Sequence, residues 1–338
     1  MSTSLKPVLA RLGLGETLTA AEAEAAFGIV MDGQATPAQI GGMLMAMRTR
    51  GETVPELTGV VTALRQRMTR ITAPAGAIDV CGTGGDGAAS LNISTAVTFV
   101  MAACGVPVAK HGNKALSSRS GGADVLTALG IGIEPPLDRV ASILREVGCV
   151  FLFAPRHHPA LRHAASVRVE LGTRTIFNLT GPLANPAGVT RQLMGVYDRK
   201  WLHPIAETLR DLGSEAVWVV HGNGMDELVL DGENDVVSLK NGVIRSFTIT
   251  AQDAGLAPAP ASALKGGDAA YNATALVAML RGEAGAYRDT VLLNAAATLV
   301  LTERVQGLSD GVAYAARMID EGAALAAFER LKAACEVQ

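Results

Sequence analysis

Three stretches of this 338-residue chain carry residue types and spacing suited to holding an anion. Gly82-Thr83-Gly84-Gly85-Asp86-Gly87 follows the strand-like run Ile78-Asp79-Val80 and precedes a helical pattern. Bare backbone N–H groups in such a loop can approach an anion closely, and the helix N-terminus beyond it adds a favourable dipole. Asn92-Ile93-Ser94-Thr95 stands at that helix start with an amide and two hydroxyls. Alone it would read as simple capping; beside the glycine loop it reads as part of a phosphate site. Lys110-His111-Gly112-Asn113-Lys114-Ala115-Leu116-Ser117-Ser118 follows the next strand, the end at which open α/β sheets bind ligands. Two lysines, an asparagine and two serines in one loop suit a phosphate cluster.

Other chemistries fit less well. The glycine loop formally matches GxGxxG, yet a dinucleotide site needs an acidic residue at the end of the next strand, and here that strand ends in Lys110-His111. No GxxxxGK[ST] is present, so a nucleotide P-loop is excluded. His157 and His158 are adjacent, but nothing nearby completes a tetrahedral zinc site. Cys81 lacks the His and carboxylate spacing of a nucleophile and reads as a small buried thiol.

These loops need elements to position them. Thr19…Glu22, Thr36…Gln39 and Thr53…Glu56 are capping-box spacings, and Gly33 and Gly51 stand where the preceding helices should stop. Three short helices are therefore expected before residue 70, with no strand between them. From Ile78 the pattern becomes strand, loop, helix, with strand-like runs at 106–109, 150–153, 192–197 and 216–220. The expected fold is α/β: a small N-terminal all-helical domain, residues 1–75 with helices around 160–190, and a larger domain, 76–338, with a mostly parallel sheet flanked by helices. Residues 228–250 should add short antiparallel strands. Helices 19–31 and 37–48 carry apolar residues on more faces than one core needs, which predicts a homodimer.

A formal charge of −3 leaves no general basic footprint and argues against a nucleic-acid binder. The four scattered cysteines suit reduced thiols in a cytoplasm. The most apolar stretch, 91–109, is broken by Asn92, Ser94, Thr95 and Thr98 and reads as core, so no membrane span is expected, and without an apolar h-region near the N-terminus no signal segment is expected.

GTGGDG, NIST, KHGNKALSS and GGADVLTALG resemble the signature series of the anthranilate phosphoribosyltransferases. The series continues in order through FLFAPRHHPA, VRVELGTRTIFNLTGPLANP, HGNGMDEL and RGEAGAYRDTVLLNAA, so the resemblance spans nearly the whole chain. It implies transfer of a phosphoribosyl group from phosphoribosyl pyrophosphate to anthranilate, on the route to tryptophan, with Mg²⁺, two ions, as cofactor. Gly82, Gly85, Asp86, Ser90, Asn92, Ile93, Ser94 and Thr95 resemble the phosphoribosyl pyrophosphate site, joined by the loop from Lys110 to Ser118 and by Gly122. Gly82, Asn113 and Arg168 resemble the anthranilate contacts, and His158 and Pro182 resemble residues along the family's anthranilate channel. Ser94, Asp226 and Glu227 resemble the magnesium ligands. An Arg fork suits a planar carboxylate, and hard oxygens are what Mg²⁺ takes. The bland readings are a surface ion pair of Arg168 with Glu170, and a merely solvated Asp226-Glu227. Gly122 stands where the family usually has serine, GGDAAYNA lacks two acids of the usual GGDAEENA, and Thr180 replaces an apolar residue. A pyrimidine nucleoside phosphorylase and a non-catalytic nucleic-acid-binding relative are the alternatives of the same fold.

Overall fold

The computed structural model describes residues 4–115 and 119–336. Leu116, Ser117 and Ser118 of the lysine loop lie outside the described residues. Four helices come first: α1 (Lys6–Gly13), α2 (Ala20–Met31), α3 (Pro37–Arg50) and α4 (Val54–Arg67). The last three start at the predicted boxes; α1 was not foreseen, because Leu5 supplies no side-chain cap to mark it. Glu22 and Gln39 close their boxes by accepting the Thr19 and Thr36 N–H groups. Glu56 goes further. Fully buried, it accepts from Thr53 N–H, Leu18 N–H and the Arg50 guanidinium, and so ties three helical segments together.

Then follow β1 (Ile78–Gly82), α5 (Ile93–Ala103), β2 (Val108–Gly112), α6 (Gly122–Ala128), α7 (Leu137–Val147), β3 (Cys149–Phe153), and the short α8 (Ala154–His157). Next come α9 (Arg162–Leu171), α10 (Ile176–Thr180), β4 (Arg191–Gly195), α11 (Leu202–Asp211) and β5 (Ala216–Gly222). The antiparallel pair β6 (Asn234–Lys240) and β7 (Val243–Ile249) precedes four closing helices, α12 (Ala269–Leu280), α13 (Ala286–Leu301), α14 (Leu308–Asp320) and α15 (Ala323–Ala334).

The sheet order is β3-β2-β1-β4-β5-β6-β7, parallel from β3 to β5. The order reverses between β1 and β4, and ligands of open α/β sheets bind outside the carboxyl ends of the strands at such a switch point. Two apolar cores lie on the two faces. One joins Ile78, Val80 and Leu193 to α5, α13 and α15. The other joins Cys81, Met194, Val217 and Val219 to α11 and runs on without interruption into α2, α3, α4 and α10. There the Phe27 and Phe177 rings meet edge to face, 5.4 Å apart. Much of the second apolar face of α3 is covered inside the chain, by α1 and α9.

Candidate functional site

The carboxyl ends of β1, β2 and β5 bring the glycine loop, Ser94, Lys110, Asp226 and Glu227 together at one edge of the sheet. The glycine loop leaves β1 with Gly84, Gly85 and Gly87 all at positive φ, a conformation that favours glycine. The loop after β5 returns to it: Gly84 N–H donates to Asp226 Oδ2 at 2.6 Å, and Asp226 N–H donates to Asp86 Oδ2 at 3.4 Å. Beside this, Ser94 N–H donates to Glu227 Oε1 at 3.2 Å. The N-terminus of α5 is thus capped by Glu227, from 133 residues away, and Asn92 makes no side-chain cap. Asn92 Oδ1 accepts instead from Asn272 Nδ2 at 2.8 Å, and its carbonyl accepts from Tyr287 OH.

Lys110 differs from its expected place in an open loop. Because β2 extends to Gly112 in register with β3, Lys110 is a strand residue and is buried beneath the site. Its ammonium donates to Val80 O at 2.7 Å and Ser94 Oγ at 3.1 Å. Lys114 and Asn113 lie beyond the strand and are exposed. Both ends of that loop are fastened by Asp124 Oδ2, which accepts from Ala115 N–H and Gly121 N–H. At Gly122 an added Cβ would lie 3.2 Å from Thr95 Oγ1 and 3.9 Å from the Lys110 chain, so the serine usual in the family would reach towards those two side chains. Ser90 pairs with Lys265, at the edge of a cavity of about 350 Å³ that Asp86 also borders.

Burial raises the acids here. Asp226 is pushed up to about 7, with Asp86 adding repulsion, and Glu227 to about 8, with Asp226 adding its own. Acids held in this way favour a cation. Among the described residues no three acidic, His or Cys side chains form a ready-made metal cage. Ser94 Oγ with two adjacent carboxylates is a donor set of hard oxygens, and Mg²⁺ is commonly held by one or two carboxylates with phosphate and water completing its shell. The residues present fit that ion.

Close packing makes Gly82 a direct probe of Asp226. A Cβ there would fall 2.1 Å from Asp226 Oδ2, so Gly82→Ala must displace the carboxylate. The expected outcome is a folded protein with roughly 10–100-fold lower turnover at limiting Mg²⁺, read from Mg²⁺ titrations beside a melting curve. Wild-type Mg²⁺ dependence would dissociate Gly82 from this role.

Arg168, His158 and Pro182, the residues that the resemblance assigns to anthranilate, lie on the segments that follow β3. Arg168, in the last turn of α9, is half-buried with its guanidinium 5.3 Å from the Phe177 ring centroid. Desolvation lowers its pKa, and among the described residues it forms no ion pair, so the surface bridge to Glu170 does not occur. His158 and His111 are buried with ring centroids 5.1 Å apart. Among the described residues His111 Nε2 and both nitrogens of His158 lack a hydrogen bond of good geometry, although backbone at Gly181 and Ala184 lies near enough to raise the basicity of His111 and His158 respectively. Burial holds His111 well below its usual range and takes His158 down to about 4, so both are neutral. Unmatched polar atoms at such depth are costly unless something polar completes them. The Pro182 carbonyl accepts from Gln192 Nε2 at 2.9 Å, which fixes the turn after α10 against β4. Thr180 is buried with its hydroxyl donating to Ile176 O, so the polar replacement is satisfied within α10.

Sequence reasoning missed the supports. Asp79, fully buried in β1, accepts from His111 N–H at 3.1 Å and from Asn185 Nδ2 at 2.8 Å, linking β2 to the GPLANP loop. The strand pattern could have flagged a charged residue at a core position. Asn272 and Tyr287 gave no local signal.

The match to known proteins follows this geometry. Residues 75–325 fit the model described as "Glycosyl transferase family, a/b domain", and residues 6–68 its "helical bundle domain". The class is therefore a glycosyltransferase with a helical bundle beside the sheet. The chain is 56% identical over 327 residues to an anthranilate phosphoribosyltransferase of Rhodopseudomonas palustris (strain ATCC BAA-98 / CGA009), covering 96% of this chain and 97% of that one. It is 54% identical to that of Brucella suis biovar 1 (strain 1330), covering 97% and 96%. Among solved structures, the anthranilate phosphoribosyltransferase of Thermus thermophilus superposes with a TM-score of 0.92 at 42% identity, over 97% of this chain and 99% of that one. The Saccharomyces cerevisiae enzyme in complex with PRPP and Mg shares the fold, with a TM-score of 0.89 at 24% identity over 98% and 99% of the two chains. This chain belongs to the anthranilate phosphoribosyltransferase family.

Proposed function

We propose that this protein transfers the phosphoribosyl group of phosphoribosyl pyrophosphate to the amine of anthranilate, releasing pyrophosphate, as a step towards tryptophan. The observation that carries the reading is the return of Asp226 and Glu227 to the glycine loop and Ser94; a desolvated Arg168 with no carboxylate among the described residues accords with it. Glycine-loop amides and the α5 N-terminus face the phosphates. Ser94, Asp226 and Glu227 would hold Mg²⁺, two ions, which when bound neutralise charge on the leaving pyrophosphate. Lys110 supplies fixed positive charge from beneath. Arg168 and Asn113 orient anthranilate, and His158, Pro182 and the floor of β2 enclose it. Placement of the amine against the sugar carbon is then the protein's other contribution. Loss of anthranilate fluorescence on mixing with phosphoribosyl pyrophosphate and Mg²⁺ tests the activity; no loss at any Mg²⁺ concentration overturns it.

The same reading divides the chain into a helical domain, residues 1–75 completed by helices around 160–190, and a phosphoribosyl-transfer domain, 76–338. Packing of α9 on α2 and α3 supports that division. No described helix is long and apolar enough to cross a membrane. A cytoplasmic enzyme accords with four buried, unpaired cysteines. A homodimer through the helical domain accords with the exposure of Leu14 and Val169 near α3, 80% and 79%. Sedimentation is expected to show a dimer at micromolar concentration; a monomer there removes the interface.

A further inference from the structure

Arg174 lies in the loop between α9 and α10, outside every residue assigned above. Its guanidinium carbon sits 3.8 Å from the centroid of the Tyr197 ring, a stacked cation–π contact. Tyr197 is itself locked to the glycine loop, its N–H donating to Thr83 Oγ1 at 3.0 Å. The edge of the guanidinium faces that loop: Nη2 and Nε would lie 3.2 and 3.4 Å from a Cβ placed on Gly85. The side chain is half-buried, and among the described residues it forms no hydrogen bond and no ion pair. A planar donor fork is thus stacked on an aromatic ring, aimed at a glycine loop and given no anion by the protein. A fork of this kind matches phosphate bidentately, and one face held by a ring leaves its N–H edge ready. We propose that Arg174 is a further cationic contact for the phosphoribosyl substrate, binding a phosphate oxygen held by the glycine loop at Gly85, with Tyr197 as its platform. This rests on the phosphoribosyl-transfer reading given above.

The test measures the Kd for phosphoribosyl pyrophosphate by calorimetry with Mg²⁺ present, together with both KM values and the Tm. Arg174→Gln is expected to weaken phosphoribosyl pyrophosphate roughly 10–100-fold, the range of a hydrogen bond to a charged group, with anthranilate KM and Tm nearly unchanged. Arg174→Lys keeps charge but not the fork, and should recover only part of the loss. Tyr197→Leu removes the platform and should weaken the same Kd by a smaller factor. An unchanged Kd in Arg174→Gln, or an effect confined to anthranilate, overturns the assignment. Where the neutral variant fails to fold, wild-type Kd in Arg174→Lys overturns it instead. Wild-type protein that binds no phosphoribosyl pyrophosphate overturns the functional reading itself, a result distinct from either.

Discussion

Replacing Asp226 by Asn together with Glu227 by Gln is expected to abolish turnover while leaving the chain folded. The side chains are near-isosteric, and an amide oxygen can still accept from Gly84 N–H and Ser94 N–H. What disappears is the pair of oxygens able to hold a divalent cation. Loss of groups that merely orient metal ligands already costs about 10–100-fold, so loss of the ligands should cost more. A double variant with wild-type turnover at limiting Mg²⁺ would falsify the metal assignment.

The same pair predicts a pH dependence whose sign can be worked out. Asp226 rises to about 7 and Glu227 to about 8 in the folded chain, from unfolded values of about 4. Both bind protons more tightly when folded. The stability they contribute is complete below their unfolded range and is lost as pH rises through the folded values. Metal-free wild type should therefore lose melting temperature from about pH 4 up to about pH 8 and level off above that, and the double variant should lose less. Mg²⁺ should raise the wild-type Tm more at the upper end of that window than below it. Buried His111, His157 and His158 act in the opposite sense at lower pH, since the unfolded chain protonates them, so the upper part of that window is the informative one. Parallel melting curves for wild type and double variant across it would remove the pair from the account.

Arg168→Ala carries the second large effect. The guanidinium is desolvated, stacked near Phe177 and without a carboxylate among the described residues. A substrate carboxylate that completes it makes a charge-assisted, largely buried contact, and truncating one partner of such a contact costs ~2–5 kcal/mol. Anthranilate KM should rise by about thirtyfold or more, with the KM for phosphoribosyl pyrophosphate nearly constant. Steady-state kinetics varying each substrate in turn give the answer, and an unmoved anthranilate KM removes Arg168 from the site.

What could be read from the residues alone was what local chemistry dictates. The capping boxes at Thr19, Thr36 and Thr53 start helices because their partners are three residues away. The glycine loop announces itself by positions that only glycine adopts easily. The family resemblance carried Asp226 and Glu227, which by themselves read as solvated acids. What stayed hidden depends on contacts far apart in the chain. Asn272 holds Asn92 across 180 residues, and Asn185 meets Asp79 across 106. Lys110 looked like a loop cation because nothing in the sequence near it shows that β2 continues to Gly112 beside β3. Its burial also answers how a chain of net charge −3 can hold a polyanion: some of the positive charge lies inside, beneath Ser94, and does not enter as surface excess.

The apolar core that runs from Phe27 and Leu57 through Phe177 to Met194 and Val219 has a bearing on how the molecule comes apart. Severing the chain in the segment after α4 would strip the sheet face carrying Cys81, Met194 and Val217 of helices it packs against, leaving a sticky surface in water. The helical part and the sheet therefore depend on one another for solubility as well as shape. Through this shared core, heat should take both parts together, with coincident transitions by far-ultraviolet circular dichroism and by the fluorescence of Trp201 and Trp218; Trp201 lies in that core.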